Sequence, residues 1–280
     1  MDVSLLRRLL AEFIGTALLV LFGAGSVVAA LILGNGQLDY AGLGFIALAF
    51  GFVVALAIYA FGTTSGAHIN PAVTIALAGV RRFRWVEVGP YVAAQLLGAF
   101  AGALLIVAFV GDRATEFGSV GLTALSDETN VAQGLVAEAL GTFLLLLTIM
   151  AVAIDRRAPA GWAGFLIGLA VATQIMVIGP FTGGSINPAR SFGPYLANQV
   201  FGGATPWAEF WVYIVGPIVG AVVAAACYEF VSRPAAVPPI IAPAEPGTPA
   251  AADHTGEASG APTVPQQSRR EEPAPPRTKT

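Results

Sequence analysis

Lysine is almost missing from this chain, occurring once at Lys279, and charged residues of every kind make up only 11% of its 280 positions. Soluble domains carry about a quarter, so a water-facing globular fold is excluded. Cysteine also occurs once, at Cys227, which rules out an internal disulfide and a cysteine-based structural zinc site. In its apolar run Cys227 reads as a packing residue. No nucleophile–base pair, phosphate-binding loop or cluster of metal ligands stands out, so the chain is expected to be no enzyme and to hold no cofactor and no metal. The net charge of −3 comes with no basic patch interleaved with aromatics, which argues against nucleic acid as a partner.

What remains is apolar: 56% hydrophobic residues and a mean hydropathy of +0.74. Six long apolar segments, at 5–33, 43–61, 88–110, 131–154, 161–179 and 207–231, mostly reach the roughly 20 residues that cross about 30 Å of hydrocarbon. Arg7 and Arg8 precede the first, which is longer than the apolar core of a signal peptide and reads as a retained span. From Pro234 onward the character changes, with 11 of the 19 prolines in this stretch. Such a tail cannot bury a core. Residues 1–232 therefore read as one membrane domain and 233–280 as a disordered tail.

Arginine placement gives the orientation. Arg7, Arg8, Arg81, Arg82, Arg84, Arg156, Arg157 and Arg233 all fall on one side if the spans alternate, whereas the other side holds Asp39, Asp112, Glu116, Asp127 and Glu128 and, besides Arg190, only Arg113. The positive-inside rule then places both termini in the cytoplasm. Arg190 breaks the pattern, which marks it as lining a polar path rather than setting topology.

Two short phrases carry the chemistry. His68-Ile69-Asn70-Pro71-Ala72 and Ser185-Ile186-Asn187-Pro188-Ala189-Arg190 each follow a glycine-bearing turn. Asn is a good helix N-cap and Pro is favoured at the first helical position, so each phrase starts a helix, one too short to cross a bilayer. If the Asn oxygen caps that helix, its side-chain NH2 is left free to point away. A broken helix at membrane depth is tolerated only where it is buried in protein or lines a water-filled cavity.

The chain also repeats itself. Ala11-Glu12-Phe13-Ile14-Gly15-Thr16 recurs as Ala137-Glu138-Ala139-Leu140-Gly141-Thr142. Each half, about 5–110 and 131–231, holds three spans and one half-helix. Three is odd, so the second half enters from the opposite face, an inverted repeat. The two half-helix N-termini then meet near the midplane, each carrying about half a positive charge. With Arg190 they form a barrier to cations and a conduit for neutral molecules that accept hydrogen bonds.

Glu12 and Glu138 have two readings. An intramembrane carboxylate is expensive and can be a proton relay, or each can accept hydrogen bonds from N–H groups in the non-helical turns before Asn70 and Asn187. Their placement, one per half, favours the structural role.

The paired Asn-Pro-Ala phrases, at this spacing and in an inverted repeat, resemble the aquaporin (major intrinsic protein) family over residues of about 5–231. The resemblance implies an all-α membrane protein of six tilted helices plus two re-entrant half-helices, with one pore per subunit of a homotetramer in lipid. It implies Asn70, Pro71, Ala72, Asn187, Pro188 and Ala189 at the pore centre, and a narrow outer filter at Phe50, Ile175, Gly184 and Arg190. A shift of one residue would put Gln174 or Met176 in place of Ile175. His68 is either on the cytoplasmic vestibule or a packing residue.

Strict water channels of the family usually carry His where Ile175 stands, and glycerol facilitators usually carry Asp where Ser191 stands. The filter is thus intermediate. The expected function is a passive channel for water, and for small neutral solutes such as glycerol, that excludes protons and ions. The alternatives are a glycerol facilitator, a proton-coupled transporter or a non-conducting scaffold. The scarcity of lysine suggests a GC-rich bacterial genome, hence the inner membrane.

Overall fold

The computed structural model describes residues 3–232; the tail 233–280, expected from sequence to be disordered, and Arg233 lie outside the described residues. Within them the chain is helical, with six spans and two half-helices. Helix α1 (Leu5–Leu33) passes through a π-helical turn at Leu19–Ala24. Helix α2 (Tyr40–Ser65) starts where the Asp39 carboxylate accepts from Gly42 N–H at 2.6 Å, and ends on Gly66, in the left-handed conformation at φ 89°. The half-helix α3 (Pro71–Gly79) and the span α4 (Trp85–Val110) complete the first half.

The second half repeats this order. Helix α5 (Val131–Ile154) opens on a reciprocal cap between Asn130 and Gln133 and closes on a second π turn, Met150–Ile154. Helix α6 (Ala163–Thr182) ends on left-handed Gly183, the half-helix α7 (Pro188–Val200) follows, and α8 (Val212–Val231) is preceded by a single 3-10 turn. At about 1.5 Å per residue α3 and α7 are roughly 14 and 20 Å long, short of the hydrocarbon thickness. The other six are long and apolar enough to cross it.

Three spans run past the apolar segments that announce them. The expected 43–61, 88–110 and 161–179 become Tyr40–Ser65, Trp85–Val110 and Ala163–Thr182. Hydropathy fades at Gly62-Thr63-Thr64-Ser65, but backbone hydrogen bonding continues until a left-handed glycine stops it. At the start of α4 the extra turn carries Glu87, which is buried and accepts from both Nη1 and Nη2 of Arg8, at 3.1 and 2.5 Å, and from Arg84.

The halves interlock. Helix α1 packs on α4 and on α2, and α5 packs likewise on α8 and α6. The half-helices are exchanged: α7 lies against α4 and α3 against α8, so each is held by the last span of the other half. Between the halves α2 crosses α6 backbone to backbone. A Cβ on Gly51 would sit 2.7 Å from the carbonyl oxygen of Gly168, and one on Gly168 would overlap the carbonyl oxygen of Gly51. Large apolar side chains such as Phe45, Phe52 and Phe109 remain exposed on the outside, where a bilayer covers them.

This crossing has no slack. Replacing Gly51 by Leu should cost about 1–3 kcal/mol, the usual range for overpacking a filled contact. Gly44→Leu, on the same helix but facing open space, should stay near wild type. Thermal unfolding of the two purified variants in one detergent gives the comparison.

Candidate functional site

The site is built on two turns with the same backbone. Gly66, Ala67 and Ile69 have φ of 89°, 46° and 43°; Gly183, Gly184 and Ile186 have 78°, 58° and 50°. The following residues, Asn70 and Asn187, are extended at φ −156° and −154°. A β-branched residue at positive φ is strained by roughly 1–3 kcal/mol and persists only where its surroundings enforce it.

The repeated Ala-Glu-x-x-Gly-Thr phrase supplies that enforcement. The Glu12 carboxylate accepts from Ser65 Oγ at 2.7 Å, from the N–H of His68 and Ile69 at 2.9 and 2.7 Å, and from Gln95 Nε2 at 2.8 Å. Glu138 accepts from Thr182 Oγ1 at 2.7 Å and from the N–H of Ser185 and Ile186 at 2.9 and 2.6 Å. A Cβ on Gly15 or Gly141 would come within 2.8 Å of the Ile69 or Ile186 side chain, so glycine leaves room for the turn. Thr16 and Thr142 each donate to the carbonyl of their own glutamate at 2.7 Å. Gln95 has no counterpart in the second half, and the sequence reading missed it.

From these turns the two asparagines project toward one another. Asn70 Oδ1 caps α3 by accepting from Ala72 N–H at 2.9 Å; Asn187 Oδ1 accepts from Ala189 and Arg190 N–H at 3.0 and 3.2 Å. Their amide nitrogens are not wholly free. Asn70 Nδ2 donates to the carbonyl of Ile186, and Asn187 Nδ2 to that of Ile69, both at 2.8 Å. Each NH2 has two hydrogens, so one ties the halves together and one remains. Both asparagines line a single cavity of about 340 Å³. Pro71, Ala72, Pro188 and Ala189 do not reach it: they are buried in the first turns of α3 and α7.

The four expected filter positions, Phe50, Ile175, Gly184 and Arg190, all reach this cavity wall. The guanidinium of Arg190 lies 4.9 Å from the centre of the Phe50 ring, within cation–π range, and Nη1 donates to the Gly121 carbonyl at 2.7 Å. That carbonyl belongs to the connection between α4 and α5, invisible to motif reading. The Phe50 ring fits because Gly23, in the π turn of α1, has no side chain to displace it. Ile175 adjoins Gly184, whose absent Cβ would be 3.4 Å from it. Gln174 also touches the cavity and donates to the Gly184 carbonyl at 3.1 Å, whereas Met176 does not line it. His68 both lines the cavity and packs, its ring 4.8 Å from Phe83 and 5.4 Å from Tyr91, with Nδ1 3.2 Å from Thr74 Oγ1.

The wall is two-fold in position and one-sided in chemistry. Residues 117 apart in sequence line it in pairs: Ile58 with Ile175, Ala67 with Gly184, Val73 with Arg190. The Phe50 counterpart is Ile167. Every expected filter position thus has an apolar counterpart in the other half, and no guanidinium of the other half matches that of Arg190. The cavity is otherwise apolar along residues such as Leu145, Ile149 and Val171, with polar residues at the two turns, on α7 and at Gln174 of α6. Two half-helix N-termini and one guanidinium give it a positive potential that repels cations while offering donors to a neutral oxygen.

The family model described as Major intrinsic protein matches residues 1–228. Aquaporin AqpM from Methanothermobacter marburgensis is 47% identical over 243 residues, covering 82% of this chain and 99% of that protein. Aquaporin NIP1-1 from Oryza sativa is 40% identical over 230 residues, covering 82% and 76% respectively. Among solved structures, the aquaglyceroporin from Plasmodium falciparum superposes with a TM-score of 0.74 at 26% identity, covering 82% of this chain and 98% of its own.

Glu138→Gln distinguishes the two readings of the buried carboxylates. The amide places an NH2 donor against N–H and O–H donors, and hydrogen bonds to a charged acceptor contribute about 1.5–3 kcal/mol each. The expected loss is about 3 kcal/mol with a lowered unfolding temperature in detergent. An unchanged unfolding temperature, with loss only of a proton-driven flux, would make Glu138 a relay.

Proposed function

The chain belongs to the major intrinsic protein family, and on that premise we propose that it is a passive channel for water that also admits small neutral solutes such as glycerol and excludes protons and ions. One observation carries the reading. Asn70 and Asn187, from opposite halves, each donate one N–H to the other half and keep a second beside the same cavity. A water passing there accepts from both free N–H groups, and its own hydrogens are turned outward. It cannot then accept a proton from a neighbour and pass one on. The half-helix N-termini disfavour hydronium at the same place.

In this proposal Phe50, Ile175, Gly184 and Arg190 are the selectivity filter and Asn70 and Asn187 the central barrier, with Pro71, Ala72, Pro188 and Ala189 setting the half-helix starts. His68 stands on the inner vestibule. Glu12 and Glu138 are structural, since the donors around them are those of the strained turns. The protein carries out no covalent chemistry, sits as a homotetramer with one pore per subunit, and lies in the inner membrane with both termini cytoplasmic. The orientation is supported by the arginines at the α3–α4 and α5–α6 connections.

The apolar wall at Ile175 favours a second reading as a glycerol facilitator, since a carbon backbone can lie against it while hydroxyls meet the turns. Ile175→His decides between them. An imidazole there narrows the filter and replaces an apolar wall with a polar one, while Gly184 opposite has no side chain to withdraw. The ratio of glycerol to water permeability in matched proteoliposomes should fall roughly tenfold, as for a small change in an apolar selection pocket. An unchanged ratio with both fluxes above the lipid background would remove Ile175 from the filter.

The electrostatic barrier has its own test. Arg190→Val combined with Asn187→Asp removes one positive charge and adds a negative one, so vesicles loaded with a pH dye should show a proton leak absent from wild type. No leak at retained water flux would overturn the account.

A further inference from the structure

A second cavity, of about 250 Å³, lies where α5 ends, beside the C-terminal end of α8 and the α3–α4 connection. It has an apolar floor, Met150 and Ile154, and a rim of three arginines, Arg82, Arg156 and Arg157. Two of the three are held in place. Glu229 Oε1 accepts from Nε and Nη2 of Arg82 at 3.0 and 2.7 Å. Asp155 accepts from Nε and Nη2 of Arg157 at 2.9 and 2.5 Å and from the Tyr228 hydroxyl at 2.8 Å; Arg157 Nη2 also donates to the Ser232 carbonyl at 2.8 Å. The Arg157 guanidinium and its backbone N–H hold the Asp155 carboxyl well below the usual carboxylate range, so this pairing persists through neutral and mildly acidic pH.

Two acidic partners against three arginines leave a surplus of one positive charge. Nη1 of Arg82 and Nη1 of Arg157 have no acceptor among the described residues, and Arg156 has neither an ion-pair nor a hydrogen-bond partner among them. Fixed guanidinium edges around a cavity match the oxygens of a phosphate, which takes arginine bidentately. From this we propose that the cavity binds a phosphate-bearing anion, with Arg156 as the main contact and Arg82 and Arg157 as the preset sides. The source is either an anionic lipid headgroup at the membrane surface or a soluble phosphate. The π turn Met150–Ile154 is a shared wall: Ile154 lines both this cavity and the mouth of the pore, together with Val152 and Ala153 on the pore side. π turns recur at functional positions because they unseat the regular helix ladder. An occupant therefore fixes the turn that shapes the pore mouth, a consequence that rests on the channel reading above.

The test uses the full-length protein in two arms. In nanodiscs of phosphatidylcholine with a minor fraction of phosphatidic acid, native mass spectrometry should show phosphatidic acid retained over phosphatidylcholine, and Arg156→Glu should lower that retention roughly tenfold or more. In detergent without anionic lipid, inorganic phosphate titrated against the protein and read by phosphorus NMR line broadening tests the soluble source. Arg156→Glu should abolish the broadening if phosphate is the ligand. Binding in either arm that is lost in Arg156→Glu supports the site and names its source. Binding that is equal in wild type and variant, or absent from both arms, overturns it. Arg156 is exposed and has no partner among the described residues, so its replacement should not disturb their fold; Arg156→Gln, with retention lowered less, provides the milder check. Water permeability of proteoliposomes with and without phosphatidic acid should differ at least twofold for wild type and not for Arg156→Glu. Retention without a permeability difference would overturn the coupling alone, because binding is read without transport.

Discussion

A polypeptide that breaks its helix at membrane depth must find acceptors for the N–H groups it exposes there, because no water is available to supply them. Everything else in this structure follows from how that need is met. The N–H groups of His68, Ile69, Ser185 and Ile186 turn onto two carboxylates that are themselves buried. Each carboxylate is tolerated at that depth because its lone pairs are occupied, and each turn is tolerated because the carboxylate is there. The carbonyls of the same turns are thereby aimed away from the glutamates, and two of them, Ile69 and Ile186, become acceptors for the asparagines of the opposite half.

This arrangement ties function to the interlock of the halves. Each half-helix is held largely by the other half: α3 rests on α8 and α7 on α4. The crossed Asn-to-Ile hydrogen bonds join the two at their tips. A rigid frame of this kind suits a passive conduit, since selectivity then depends on fixed groups along the wall. The frame is two-fold in position, and the side chains on the wall depart from that symmetry. Arg190 stands where the other half has Val73, and Phe50 where it has Ile167. Duplicated positions provide the tube, and unequal side chains make one end polar and charged.

Much of this was legible in the chain. Long apolar runs, the repeated Glu-bearing phrase and the paired Asn-Pro-Ala phrases specify spans, inversion and half-helices through local rules of hydropathy and capping. The four expected filter positions come from resemblance and spacing, and all four lie on the cavity wall. Gly121, Gln95 and Gly23 were not legible. Each acts through a single carbonyl, amide or missing side chain on an element remote in sequence from its partner. The free NH2 expected of each asparagine was half right, because a cap can be read from one helix whereas the second acceptor sits in the other half.

The sequence by itself determined that the chain spans a membrane and how often, that its half-helices start at Asn70 and Asn187, and that it is built twice in opposite senses. These depend on periodicity, composition and nearest neighbours along the chain. The tertiary structure alone decided which atoms face the conduit. It put Ile175 against Gly184 and the Arg190 guanidinium between Phe50 and the Gly121 carbonyl, and it placed Gln174 on the same wall. The physical reason is that a side chain's direction in a buried helix is fixed by what it packs against, and the packing partners here sit on other elements of the molecule, several of them far away in sequence.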